Sequence, residues 1–171
     1  MIDIRTRIRD IPDFPKPGIV FKDITPLLAD GPAFRAMVDA FVDRYRGRVD
    51  MVLGIESRGF LIGAAVAYGL GTGIAIVRKP GKLPSQTYAA RYDLEYGSDA
   101  LEIHHDALGD HHRVLIIDDL LATGGTASAA IELVRRCGGR GVACAFVIEL
   151  AFLGGRARLG DTEVFSLVTY P

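Results

Sequence analysis

Apolar residues recur at Phe34, Met37, Val38, Phe41, Val42 and Tyr45, the i, i+3, i+4, i+7 spacing that lines one face of a helix. Asp30 precedes the run as a cap, Pro32 stands near its start, and Gly47 ends it. A different pattern follows. Met51-Val52-Leu53-Gly54-Ile55, Ile74-Ala75-Ile76-Val77, Val114-Leu115-Ile116-Ile117 and the run from Val142 to Ile148 are short and apolar on both faces. Helical patterns at 59–69 and at about 126–137 alternate with them. Strands buried on both faces and connected through helices predict a parallel sheet covered on either side, so the fold class is α/β.

Two stretches break this alternation. Residues 11–26 carry Pro12, Pro15, Pro17 and Pro26, which rules out a regular helix and predicts an ordered lid or extended arm. From 80 to 105 the chain turns to Pro, Gly, Ser and Tyr, then alternates around Tyr92-Asp93-Leu94-Glu95-Tyr96 and Ala100-Leu101-Glu102-Ile103. A mobile loop at about 80–91 running into an antiparallel hairpin is expected there. No repeat or linker interrupts the 171 residues, and a single domain spanning 1–171 follows.

Composition narrows the function. Lys and Arg number 20 against 21 Asp and Glu, a formal charge of −1, which excludes a broad nucleic-acid-binding surface. No apolar run resembles a signal peptide or could cross a bilayer, so a cytoplasmic protein without a membrane partner is expected. Cys137 and Cys144 are too few for a disulfide scaffold or a four-thiolate zinc site. The paired histidines His104-His105 and His111-His112 suit a solvated turn better than a metal. Glycine stands out at 20 residues. That is about 12% against a typical 7% or so, which points to tight turns or to a backbone that must approach something closely.

The stretch Val114-Leu-Ile-Ile-Asp118-Asp119-Leu-Leu-Ala122-Thr123-Gly124-Gly125-Thr126 carries the chemistry. A buried strand brings two carboxylates to its carboxyl end, where open α/β sheets bind ligands. The Gly-Gly turn then leads into a helix N-terminus, whose unpaired N–H groups and positive dipole end favour a phosphate. Two acids beside a phosphate site call for something cationic or hydroxyl-rich between them; a sugar diol, with or without Mg²⁺, meets that condition. No Lys-Ser/Thr follows the glycines and no Gly-x-Gly-x-x-Gly is present, so neither a Walker loop nor a dinucleotide fingerprint is expected.

This run resembles the 5-phosphoribosyl pyrophosphate (PRPP) motif of the type I phosphoribosyltransferases, in the form carried by members that use adenine. The resemblance extends to Asp13-Phe14-Pro15, Pro17 to Pro26, Glu56-Ser57-Arg58-Gly59-Phe60, Arg78 to Pro84 and Leu94-Glu95-Tyr96-Gly97. It implies the type I fold: a central parallel sheet flanked by helices, a purine-binding hood from about 1–30, and a flexible loop and hairpin at about 80–105. The implied reaction is a pentosyl transfer in purine salvage, in which adenine and PRPP give AMP and pyrophosphate with Mg²⁺ carried on PRPP. A cytoplasmic homodimer is implied with it.

Residue roles follow from the same resemblance. Ala122, Thr123, Gly124, Gly125 and Thr126 would hold the 5′-phosphate, and Asp118 and Asp119 the ribose hydroxyls. Arg58, Lys79 and Lys82 would meet the pyrophosphate, with Arg78 serving its own or a neighbouring subunit's site. Glu95 is the expected general acid/base, Tyr96 covers the site, and the loop at about 80–91 closes over it to exclude water. Backbone groups of Val20 and Lys22, with Phe21 stacking nearby, would read the adenine. Two departures stand out: Lys22, where many relatives carry Arg, and Ser85-Gln86, where Gly-Pro is common. Two further readings, a transferase acting on 6-oxopurines and a PRPP-sensing regulator, fit less well. The arm from Pro17 to Ile24 argues against the first, and length and charge leave little room for the DNA-binding part of the second.

Overall fold

The computed structural model describes residues 3–93 and 97–171. A 3-10 turn at Ile4–Arg7 leads into an antiparallel ribbon of β1 (Arg9–Pro12) and β2 (Val20–Asp23), so the Pro-punctuated arm is a folded hairpin. The short helix α1 (Thr25–Ala29) follows, with Pro26 in its first turn, where the missing N–H costs nothing. It was hidden by the prolines around it. Helix α2 (Gly31–Tyr45) keeps the expected boundaries, and Asp30 caps it by accepting from the Ala33 N–H at 3.1 Å.

The alternating units come next: β3 (Met51–Ile55), α3 (Arg58–Leu70), β4 (Gly73–Val77), the hairpin β5 (Thr87–Asp93) and β6 (Ser98–His104), then β7 (Arg113–Leu121), α4 (Gly125–Arg136), β8 (Arg140–Leu150) and β9 (Glu163–Tyr170). Five strands form the central sheet in the order β4-β3-β7-β8-β9, and every pairing is parallel. Strand β7 alternates between the two faces of this sheet. Val114 and Ile116 pack with α4, β5 and β6, while Leu115 and Ile117 pack with α2 and α3, so each face has its own apolar core.

Three boundaries differ from the expectations. Strand β7 runs past the apolar run through both aspartates to Leu121, because β8 continues to pair with it through Asp118, Leu120 and Leu121. The expected loop at about 80–91 is shorter, since β5 begins at Thr87 and pairs from there with β6. Strand β9 was not anticipated; it is a partly buried edge strand held by the extended β8.

Candidate functional site

Strand order fixes where a ligand can enter. The chain leaves β3 toward β4 on one side and leaves β7 toward β8 on the other, so a crevice opens beyond the carboxyl ends of β3 and β7. The two motifs that resemble phosphoribosyltransferases follow those two strands. Arg58 and the segment from Asp118 to Thr126 line one cavity there, of about 200 Å³. Gly124 takes the N-cap position of α4 at φ +81°, a conformation that disfavours other residues, and no side chain among the described residues caps the helix. The first backbone N–H groups of α4 therefore face the turn without an intrahelical acceptor.

The two acids differ in their surroundings. Asp119 is 5% exposed, and the Arg58 Nε–H donates to its Oδ2. Asp118 accepts the backbone N–H of Asp119 at 2.9 Å. Burial, then the neighbouring Asp119 charge, push the Asp118 carboxyl well above the usual carboxylate range. Burial also opposes the charge on Arg58, but Asp119 and Asp118 outweigh it and raise its pKa. Arg58 is the first residue of α3, a helix end that repels cations, so the acid pair also offsets the dipole. Gly59 lets this helix end approach: a Cβ there would lie 2.7 Å from the Ile117 carbonyl oxygen and 3.1 Å from Asp118 Oδ1.

The three other predicted cations gather around acids that were not singled out as functional. Glu56 Oε1 accepts from Lys82 Nζ at 2.7 Å and from Arg78 Nη2 at 3.3 Å, and Oε2 accepts the Lys79 backbone N–H at 2.8 Å. Burial raises the Glu56 pKa, but these donors override it and hold it at about 2. The Lys79 ammonium pairs with Asp99 and donates to the Tyr92 hydroxyl at 2.8 Å. Tyr92 and Asp99 face each other across β5 and β6, so the hairpin clasps Lys79. A signal for Glu56 was present in the chain, an acid just beyond a strand end and two residues before Arg58.

The hood meets the crevice through Phe21. The Arg58 guanidinium lies over the Phe21 ring at 5.7 Å, and Phe14 packs edge-on to the same ring at 5.3 Å. Ile11, Phe14 and Phe21, with Asp23, line an apolar recess of about 220 Å³. The Ile19 carbonyl accepts the Phe14 N–H, so strand alternation turns the backbone groups of Val20 and Lys22 away from β1. The Lys22 ammonium is occupied elsewhere, donating to Asp10 at 2.7 Å and lying over the Tyr170 ring. Glu95 and Tyr96 lie outside the described residues.

One neighbour of the Gly-Gly turn escaped the sequence reading. Gly155 touches the turn backbone to backbone: a Cβ on Gly155 would lie 2.1 Å from the Ala122 carbonyl oxygen, and one on Gly124 would lie 2.5 Å from the Gly155 carbonyl oxygen. Nothing in the local sequence marks that contact, because it joins residues about thirty apart.

Residues 29–168 match the family model of the phosphoribosyl transferase domain. A protein of Geobacter metallireducens named adenine phosphoribosyltransferase is 59% identical over 171 residues, covering 99% of this chain and 100% of the relative. The crystal structure of adenine phosphoribosyltransferase from Thermoanaerobacter pseudethanolicus superposes with a TM-score of 0.95 at 49% identity, covering 98% of both chains. The Saccharomyces cerevisiae adenine phosphoribosyltransferase, solved with an imino-altritol bisphosphate and adenine, gives 0.92 at 40% identity over 96% of each chain. With its turn, acid pair and hood in one crevice and these likenesses along its whole length, the chain belongs to the phosphoribosyl transferase family.

Proposed function

We propose that the chain transfers the 5-phosphoribosyl group of PRPP to N9 of adenine, releasing pyrophosphate and forming AMP. The observation that carries this reading is the shared crevice: a helix N-terminus that no described side chain caps, two carboxylates and the aromatic hood meet at Arg58. The backbone N–H groups from Ala122 to Thr126 hold the 5′-phosphate, and Asp118 and Asp119 accept hydrogen bonds from the ribose hydroxyls. As the C1′–O bond breaks, positive charge grows on the sugar ring and negative charge on the departing pyrophosphate. The carboxylates sit on the first side. Arg58, Lys79 and Lys82 meet the second, with Arg78 beside them, and Glu95 exchanges a proton with the purine while Tyr96 covers it.

Among the described residues no three His, Cys, Asp or Glu side chains gather into a metal cage. A Mg²⁺ carried on the pyrophosphate of PRPP would neutralise the charge that develops on the leaving group, beside Arg58, Lys79 and Lys82. Adenine recognition is supported by the outward backbone groups of Val20 and Lys22 beside the Phe21 ring. A 6-oxopurine reverses both donor and acceptor, leaving buried polar groups unpaired. The Lys22 ammonium, held by Asp10 and the Tyr170 ring, takes no part in this reading, which rests on the backbone at that position. The protein works in the cytoplasm as a homodimer; exposed apolar side chains on α3 and β4 support the second part.

The deciding experiment supplies PRPP and Mg²⁺ with each purine in turn and follows pyrophosphate release. Adenine is expected to turn over far faster than hypoxanthine or guanine. Faster turnover of either 6-oxopurine would overturn the adenine assignment, and binding without turnover would favour a sensor.

A further inference from the structure

Glu149 lies at the far end of β8 and is 5% exposed, yet it is ionised: the Arg156 guanidinium holds its pKa below the ordinary range against the effect of burial. Its partners form a closed set. Arg156 grips both carboxylate oxygens, Nε–H to Oε1 at 3.0 Å and Nη2–H to Oε2 at 2.5 Å, and the Ser166 hydroxyl donates to Oε2 at 2.8 Å. Arg156 also donates from Nη1 to the Val164 carbonyl at 2.9 Å. Glu149 is buried while the Arg156 side chain is 50% exposed, so the pair fixes a solvent-facing segment onto a carboxylate that is anchored in the sheet.

It orients the connection between β8 and β9. Arg156 sits in the 3-10 turn Gly155–Leu159, and the residue before it is the Gly155 that presses on the Ala122 carbonyl. Glu149 itself stands opposite Leu121 in the pairing of β8 with β7, directly before Ala122. Glu149 thus joins the two by its two ends: its backbone pairs with the strand that leads into the Gly-Gly turn, and its carboxylate holds the segment whose Gly155 packs against that turn. Arg158 completes the support, its Cβ lying 3.2 Å from where a Cβ on Gly124 would stand.

We infer that Glu149 is a positioning residue, which through Arg156 and Gly155 sets the height and direction of the backbone N–H groups in the 122–126 turn. The inference rests on the reading of that turn as the 5′-phosphate site. Backbone amides cannot rotate independently as side chains do, so a displaced turn loses several donors together. The loss falls on ligands that carry the phosphate and spares adenine, which is bound by the hood.

The test measures binding of ribose 5-phosphate by calorimetry, and KM for PRPP and for adenine, on the full chain and on Glu149→Gln, Gly155→Ala and Arg156→Lys. Glu149→Gln and Gly155→Ala are expected to weaken ribose 5-phosphate binding and to raise KM for PRPP by about tenfold or more, with KM for adenine unchanged. Arg156→Lys, which keeps the charge but not the two-pronged grip, is expected to weaken ribose 5-phosphate binding less than Glu149→Gln does. Unaltered ribose 5-phosphate affinity in Glu149→Gln would overturn the inference, as would equal losses for PRPP and adenine, the mark of a general folding role. Should Gly155→Ala fail to fold, Glu149→Gln decides alone. A wild-type chain that binds neither ribose 5-phosphate nor PRPP would instead refute the functional reading, and the inference with it.

Discussion

Asp118 and Asp119 are adjacent in sequence, yet they meet different neighbours. Asp119 holds Arg58, whereas Asp118 faces its own backbone and the close-packed Gly59. Replacing Asp119 by Asn removes a charged acceptor and leaves Arg58 beside the raised Asp118 carboxyl. A hydrogen bond to a charged group is worth about 1.5–3 kcal/mol, so Asp119→Asn is expected to raise KM for PRPP roughly tenfold to a hundredfold. Steady-state kinetics checks this, with thermal unfolding confirming that the fold persists; unchanged kinetics would remove the ribose role. That the acid pair and the glycines lie together between a strand end and a helix was legible from residue types, although a plain strand-turn-helix junction also carries a Gly-Gly turn. Arg58 pairing with Asp119 was not, because a contact between residues 61 positions apart leaves no trace in local spacing.

Elements were legible where the burial pattern was uniform. The runs at 51–55 and 74–77 are strands, and the helices at 58–70 and 125–136 lie within two residues of expectation. Pattern reading failed where pairing outlasts the pattern, as in β7 beyond Ile117, and where an edge strand is only half buried, as in β9. Glu56 belongs to this scale because it ties the end of β3 to the segment after β4 through Arg78, Lys79 and Lys82. Its pKa falls from 4.5 to about 2 on folding. A depressed acid stabilises the folded state fully above its unfolded value and loses that contribution as pH falls through the folded value. The wild type should therefore resist urea better than Glu56→Gln at neutral pH, with the difference shrinking from about pH 4.5 toward pH 2. A difference independent of pH would show that the three donors do not act through the Glu56 charge.

At the scale of the molecule, two apolar cores on opposite faces of one sheet hold the crevice ends of β3 and β7 in fixed relation. Some apolar surface remains outside them: Leu61 is 57% exposed and Tyr68 91% on α3, and Ile74 and Ile76 are also exposed on the edge strand β4. Exposed apolar side chains beside a sheet edge favour association. Light scattering is expected to give twice the chain mass of 18.5 kDa, and Leu61→Glu with Tyr68→Glu to return it to the single-chain value. A wild-type mass of one chain would exclude this interface.

The balance of 20 basic and 21 acidic residues is repeated locally, since Arg58 at the crevice and Lys79 and Lys82 after β4 each hold an acidic partner. Any anion reaching these side chains must therefore trade places with, or share a cation with, a carboxylate already in contact. Such an exchange rewards only the difference between two anions. A lone monovalent ion gains little from it, whereas a ligand that engages several cations and the 122–126 turn at once accumulates the differences. For the proposed site, selectivity for a molecule with phosphate at both ends is then expected from local neutrality, without the broad positive field that would also attract nucleic acid.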